Sequence, residues 1–299
     1  MFRGKYTQTH SHFYMLSDTH RLDGFVNAIR RKVHVGDIVV DLGAGTGILG
    51  IECAKAGADV VHLVEQEPKL VAVIEQMVKE HDVEDKCIIH NKRSDEFLNE
   101  FIGNVDLIVC EGIGDHIFES RLIKDFLNFK AKHNINSIPE LFKLYVYNTP
   151  VKINRELLGK YHTVLDKLEK PKLDSINITD NVINDRLYIF SDKITETKCI
   201  LDFSKSEDLR VHCEQISLNR IPDEDEYLIL YFDICLNSSE KHINISNKPS
   251  REDLPHSYYQ RLISCKDITS STIQLKIDYE KHITGIEDEP FPNIEIVNV

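Results

Sequence analysis

Asp41-Leu42-Gly43-Ala44-Gly45-Thr46-Gly47 is the stretch that decides the fold. It follows the apolar run Ile38-Val39-Val40 and leads into a helical pattern, Thr46 to Ala56, with Gly57 as its stop. Glycines between a strand and a helix let the backbone turn tightly and let a ligand approach the main chain closely. The first turn of the helix adds N–H groups that favour anionic ligand groups. Further on, Val61-His62-Leu63-Val64-Glu65 carries a carboxylate to the end of the next strand, where it can accept hydrogen bonds from ribose hydroxyls. Glycine loop and strand-end acid together mark a ligand that contains adenosine.

Spacing alone leaves that ligand open. Gly45-Thr46-Gly47-Ile48-Leu49-Gly50 satisfies G-x-G-x-x-G, so NAD stands beside S-adenosylmethionine. Outward from the loop, strand and helix patterns alternate. Asp59 to Val64 reads as a strand, Pro68 to His81 as a helix with proline in its first turn, and Cys87 to His90 and Val105 to Cys110 as strands. This rhythm predicts an α/β fold with a parallel sheet covered by helices on both faces. After about residue 150 glycine nearly vanishes. Short apolar runs such as Lys198 to Phe203, Tyr227 to Leu236 and Thr272 to Ile277 predict a β-rich, barrel-like domain. The expected organisation is an N-terminal helical segment over 1–36, a Rossmann-like domain over 37–150 and a β-barrel-like substrate domain over 151–299.

Composition narrows the function classes. The 299 residues are 41% hydrophobic and 28% charged, which is a globular profile. No apolar run approaches the roughly 20 residues needed to span a bilayer, and Met1-Phe2-Arg3-Gly4-Lys5 lacks the apolar core of a signal peptide. A cytoplasmic protein without a membrane partner is expected. Seven cysteines, none in C-x-x-C spacing, argue against both a disulfide framework and a cysteine-built zinc site, so no metal is expected. The formal net charge of −13 disfavours a nucleic-acid partner and suits a cationic or neutral substrate.

Several segments together resemble the protein arginine methyltransferases. Met15-Leu16-Ser17-Asp18-Thr19-His20-Arg21 is similar to the family's Met-Leu-x-Asp-x-x-Arg stretch, and Asp-Leu-Gly-x-Gly-x-Gly from Asp41 to its motif I. Cys110-Glu111-Gly112-Ile113-Gly114-Asp115-His116-Ile117-Phe118-Glu119-Ser120 resembles its double-glutamate hairpin. Tyr6 and His12 fall on its N-terminal tyrosine motif and histidine, and Pro255-His256-Ser257 on its Thr-His-Trp loop. The resemblance is strong over 12–120 and weaker beyond.

It implies S-adenosyl-L-methionine as cofactor, held by His12, Met15, Arg21, Asp41, Gly43, Gly45, Gly47, Glu65, Asp95 and Glu111. Within that set, Arg21 would take the cofactor's carboxylate, Glu65 its ribose and Asp95 its adenine. Glu111 and Glu119 would clamp a guanidino or amine nitrogen, with His256 orienting the hairpin or relaying a proton. A protein, peptide or small-molecule acceptor follows, as does the family's usual homodimer.

The chain also departs from the family. Gly112-Ile113-Gly114-Asp115 replaces a Trp-Met-Gly-Tyr core, one residue is missing before Glu119, and the chain has no tryptophan. A methyltransferase for a non-guanidino small molecule, or a binding protein that keeps the fold without the chemistry, therefore stay open beside an arginine methyltransferase.

Overall fold

Short runs of valine, isoleucine and leucine build the first sheet. They are β1 (Ile38–Leu42), β2 (Val60–Glu65), β3 (Cys87–Asn91), β4 (Leu107–Val109) and β5 (Asn136–Ile138). All pair in parallel, in the order β3-β2-β1-β4-β5. Val39, Val40, Leu42, Val61 and Leu63 are fully buried, as strands covered on both faces require. The structure, a computed structural model, describes residues 15–113, 121–152, 182–183, 197–202, 211–239, 243–246, 261–278 and 293–299.

The strand order reverses at β1, which lies between β2 and β4. In open α/β sheets the crevice beyond the carboxyl ends of such strands binds ligands. Here it is bordered by the glycine loop after β1, by Glu65 closing β2, and by Cys110 and Glu111 after β4.

Helices with apolar stripes cover the sheet. In α1 (Thr19–Lys32) the buried residues Arg21, Phe25, Ala28 and Ile29 recur at helical spacing, and Arg30, Arg31 and Lys32 meet the negative end of its dipole. Helix α2 (Ile48–Ala56) starts from Gly47 and stops at Gly57, both with positive φ. Helix α3 (Pro68–Glu80) opens with proline and buries Leu70, Ile74 and Val78. Helix α4 (Ser94–Glu100) follows β3, and α5 (Arg121–His133) precedes β5. No helix among the described residues is long and apolar enough to cross a membrane.

The described residues form two compact units. One holds those up to Phe142 with the segment Ile234–Ile245. The other holds those of Lys143–Asp233, Ser246–Tyr279 and Pro292–Val299. The second unit is β-rich. Its strands are β6 (Leu141–Tyr147, which begins in the first unit), β7 (Val151–Lys152), β8 (Val182–Ile183), β9 (Thr197–Asp202), β10 (Val211–Ser217), β11 (Glu226–Asn237, which ends in the first), β12 (Ile243–Ser246, which lies in the first up to Ile245), β13 (Arg261–Ser264), β14 (Thr272–Asp278) and β15 (Asn293–Asn298). One sheet runs β8-β13-β11-β6-β9, with β7 and β12 paired to β11, and a second runs β10-β14-β15. Tyr147, Val151, Ile229 and Tyr231 make a buried cluster, with Tyr145 stacked on Tyr231 at a ring separation of 5.0 Å. A Rossmann-like domain followed by a β-rich, barrel-like one is therefore the fold class.

Candidate active site

The glycine loop is fixed by the strand beside it. Gly43 and Ala44 both donate their N–H to the Val64 carbonyl, at 3.0 and 2.9 Å, so the loop leaves β1 pinned against the end of β2. Gly45 has φ +58, in the left-handed region that side chains other than glycine seldom enter. Its N–H donates to Oε2 of Glu65 at 2.9 Å, and the Glu67 N–H donates to Oε1 at 2.9 Å. Both carboxylate oxygens of Glu65, a residue 8% exposed, thus point along the crevice wall and are held by main-chain donors. Gly47 works on the loop itself. It donates to the Ala44 carbonyl at 2.7 Å, and a Cβ built there would meet Ile74 of α3 at 3.2 Å.

Asp41 sits in β1 beneath the loop and is 2% exposed. Its Oδ2 accepts the Gly50 N–H at 2.9 Å, tying the strand to α2. Burial pushes its carboxyl up to about 7, against the pull of the Gly50 bond, and the charges of Glu65 and Glu111 push the same way. Burial also pushes up the thiols of Cys53 and Cys110, as expected of inert interior cysteines.

Helix α1 brings the cation. The Asp18 side chain accepts the Arg21 N–H at 3.1 Å and caps the first turn. Arg21, 6% exposed, donates from Nη1 to the Glu111 carboxylate and from Nη2 to the Met15 carbonyl. Arg21, Met15, Phe25, Asp41, the loop from Gly43 to Thr46, and Glu111 line one cleft that opens to solvent. An Arg–Glu pair and a buried aspartate therefore line it, and Glu65 is bonded to the lining residue Gly45. That charge pattern suits a ligand carrying both a carboxylate and positive charge.

Of the residues singled out from sequence, Met15, Arg21, Asp41, Gly43, Gly45 and Glu111 line this cleft. Glu65 borders it through Gly45, and Gly47 shapes the loop. Asp95 stands in the first turn of α4, where Arg93 Nε donates to its Oδ1 at 3.0 Å, and it does not line the cleft. His12, Glu119 and His256 lie outside the described residues. Sequence reasoning missed Leu122, which packs against both Gly43 and Gly112. A glycine directly after Glu111 was the one available signal.

A family model described as "Conserved hypothetical protein 95" matches residues 21–110. The chain is similar to "Probable protein arginine N-methyltransferase 6.1" of Oryza sativa subsp. indica, 34% identical over 133 residues, covering 42% of this chain and 34% of that protein. It is also similar to "Arginine N(omega)-methyltransferase" of Streptomyces achromogenes subsp. streptozoticus, 32% identical over 102 residues, covering 33% of this chain and 28% of that one. The chain thus spans about a third of the length of these curated relatives.

The fold compares along nearly the whole length. Protein arginine methyltransferase 10 of Arabidopsis thaliana matches with a TM-score of 0.68 at 16% identity, over 98% of this chain and 99% of that one. The Trypanosoma brucei protein arginine methyltransferase 1 enzyme–prozyme heterotetramer, solved with S-adenosylhomocysteine, matches with a TM-score of 0.67 at 17% identity, over 92% and 89%. The glycine-loop half of the chain is thus similar in sequence to these arginine methyltransferases, and its fold compares with theirs along nearly its whole length.

Proposed function

We propose that the chain is an S-adenosylmethionine-dependent N-methyltransferase acting on a guanidino nitrogen. One observation carries this reading: the glycine loop, the loop-bonded Glu65 and the Arg21–Glu111 pair converge on one crevice at the switch point of the sheet. The residues fit the cofactor. Two of the roughly four lone-pair sites of the Glu65 carboxylate are taken by main-chain N–H groups, which leaves acceptors for two ribose hydroxyls. Arg21 has five donors, and a guanidinium fork suits the methionyl carboxylate. The bound group would supply an electrophilic methyl on a sulfonium.

The chain's own residues would prepare the acceptor. A guanidinium is a poor nucleophile because it stays protonated, with a pKa above about 12. Glu111 and Glu119 would clamp its planar fork and draw positive charge toward one nitrogen, leaving a lone pair on another. His256 would take or relay the proton. Positioning along the line of transfer supplies much of the rate. Arg21 donates to Glu111 in this structure, so the group proposed to hold the cofactor's carboxylate also orients the acid proposed to hold the acceptor. A protein, peptide or small guanidino compound is the proposed acceptor, and a homodimer in the cytoplasm the proposed setting.

The test is transfer of labelled methyl from S-adenosylmethionine to an arginine-rich protein, glycine–arginine peptides and free guanidino compounds. Product is expected, and Glu111→Gln should lower turnover by about 100-fold or more. A second reading draws on Gly112-Ile113-Gly114-Asp115, which lacks the aromatic core of the family hairpin. Turnover of a non-guanidino acceptor alone would favour it. Cofactor binding without turnover on any acceptor would favour a protein that has lost the chemistry.

A further inference from the structure

Leu122 stands in the first turn of α5 and touches both sides of the cleft's rim. A Cβ built on Gly43 would lie 2.4 Å from its Cδ2, and one built on Gly112 would lie 2.1 Å from the same methyl. Carbon atoms pack at about 3.5–4.0 Å. That methyl therefore occupies the space a side chain at either position would need, and it rests against two main chains. Gly43 opens the loop after β1, and Gly112 follows Glu111 beyond β4. The two strands are neighbours, with Asp41 opposite Val109.

We infer that Leu122 is a positioning residue, a wedge that sets the distance between the cofactor loop and Glu111. This rests on the function proposed above for what lies on each side of it. On one side the loop passes the setting on through Gly45 to Glu65. On the other, Glu111 passes it to Arg21. A methyl seated against two backbones adds a carbon contact to the strand pairing that already sets their separation. The helix itself is held elsewhere. Ile123 and Phe126 are fully buried, and Phe126 meets Phe142 edge-on at 6.1 Å. Shortening Leu122 should therefore loosen the wedge and leave the fold standing.

Gly112 gives the cleaner probe. Gly43 has φ +76, so a side chain there strains the backbone as well, whereas Gly112 lies outside that region. Gly112→Ala should evict the Leu122 methyl without touching the cleft lining.

The experiment is a double-mutant cycle on the full chain: wild type, Gly112→Ala, Leu122→Ala and the double variant. Thermal melting and calorimetric binding of S-adenosylhomocysteine are the two readouts. Gly112→Ala should weaken binding about fivefold and lower the midpoint by about 3 °C. Adding Leu122→Ala should restore most of both, and Leu122→Met in the wild-type background should bind like wild type. Losses that simply add in both readouts would overturn the proposal. If the wild type binds no S-adenosylhomocysteine, the cofactor reading fails. The melting cycle then still decides the wedge, since additive shifts in midpoint reject it and recovery in the double variant supports it.

Discussion

At the scale of single residues, Asp41 makes the sharpest prediction. Its carboxyl is pushed up to about 7 by burial, well above its ordinary value of 3.8. The folded chain therefore prefers the protonated form. The stability this contributes is complete below the ordinary value and is lost as pH climbs through about 7. Asp41→Asn keeps an acceptor for the Gly50 N–H and removes the titration. Wild type should lose stability relative to Asp41→Asn by up to about 1 kcal/mol per pH unit between pH 5 and 7. Melting curves taken in parallel decide this, and a difference that does not change with pH would contradict it. Gly45→Val places a β-branched residue at φ +58 and should abolish S-adenosylhomocysteine binding in calorimetry. These positions were legible in the sequence because their roles follow from local spacing: a glycine loop after a strand, and an acid at the next strand's end. Leu122 was not legible, since its role depends on two glycines that only the folded sheet brings together. The adenine role of Asp95 was an expectation from the family resemblance, and the structure pairs its carboxylate with Arg93.

At the scale of elements, caps and clasps hold the site in place. Helix α1 depends on Asp18, which caps the turn containing Arg21. Asp18→Ala should cost about 1 kcal/mol in chemical denaturation and should also weaken cofactor binding, because it frees the turn that aims Arg21. Unchanged affinity would separate the cap from the site. Around Glu140, Lys32 Nζ donates to Oε1 at 2.5 Å, the Ser238 N–H donates to Oε2 at 2.9 Å, and Lys130 Nζ donates to the main-chain carbonyl at 2.6 Å. Burial raises the Glu140 carboxyl, but the Lys32 and Ser238 bonds outweigh it and hold the group below its ordinary value. That stability is present above about pH 4.5 and fades as pH falls below it. Glu140→Gln should thus destabilise at pH 7, and its gap to wild type should narrow as pH falls below 4.5, by melting.

The alternation of β1 to β4 with their helices was readable from apolar runs and glycine or proline stops. Helices α4 and α5 were not, because neither follows such a stop and both are placed by packing on the sheet. Much of the β-rich unit was equally opaque. Short strands such as β13 and β15 take their stability from partners distant in the chain, and local pattern carries little of that.

At the scale of the molecule, the −13 charge bears on association rather than on fold. If the acceptor is an arginine-rich peptide, its association rate should fall steeply as ionic strength rises, since screening shortens the reach of the acidic surface. Stopped-flow measurements at low and high salt check this, and a rate indifferent to salt would count against a cationic acceptor. The parallel sheet was implied by the βαβ rhythm, whereas its order β3-β2-β1-β4-β5 came only with the folded structure. The return of Ile234–Ile245 to the first unit was not, because a strand crossing from one unit to the other leaves no mark in hydropathy.

Glu65 has one more consequence. With Gly45 and Glu67 each tethering one of its oxygens, the side chain has little rotamer freedom left to surrender to a ligand. Its conformational freedom is spent during folding, so recognition at that spot is rigid from the outset. Aspartate cannot substitute there, because a chain one methylene shorter cannot keep hold of both amides at once.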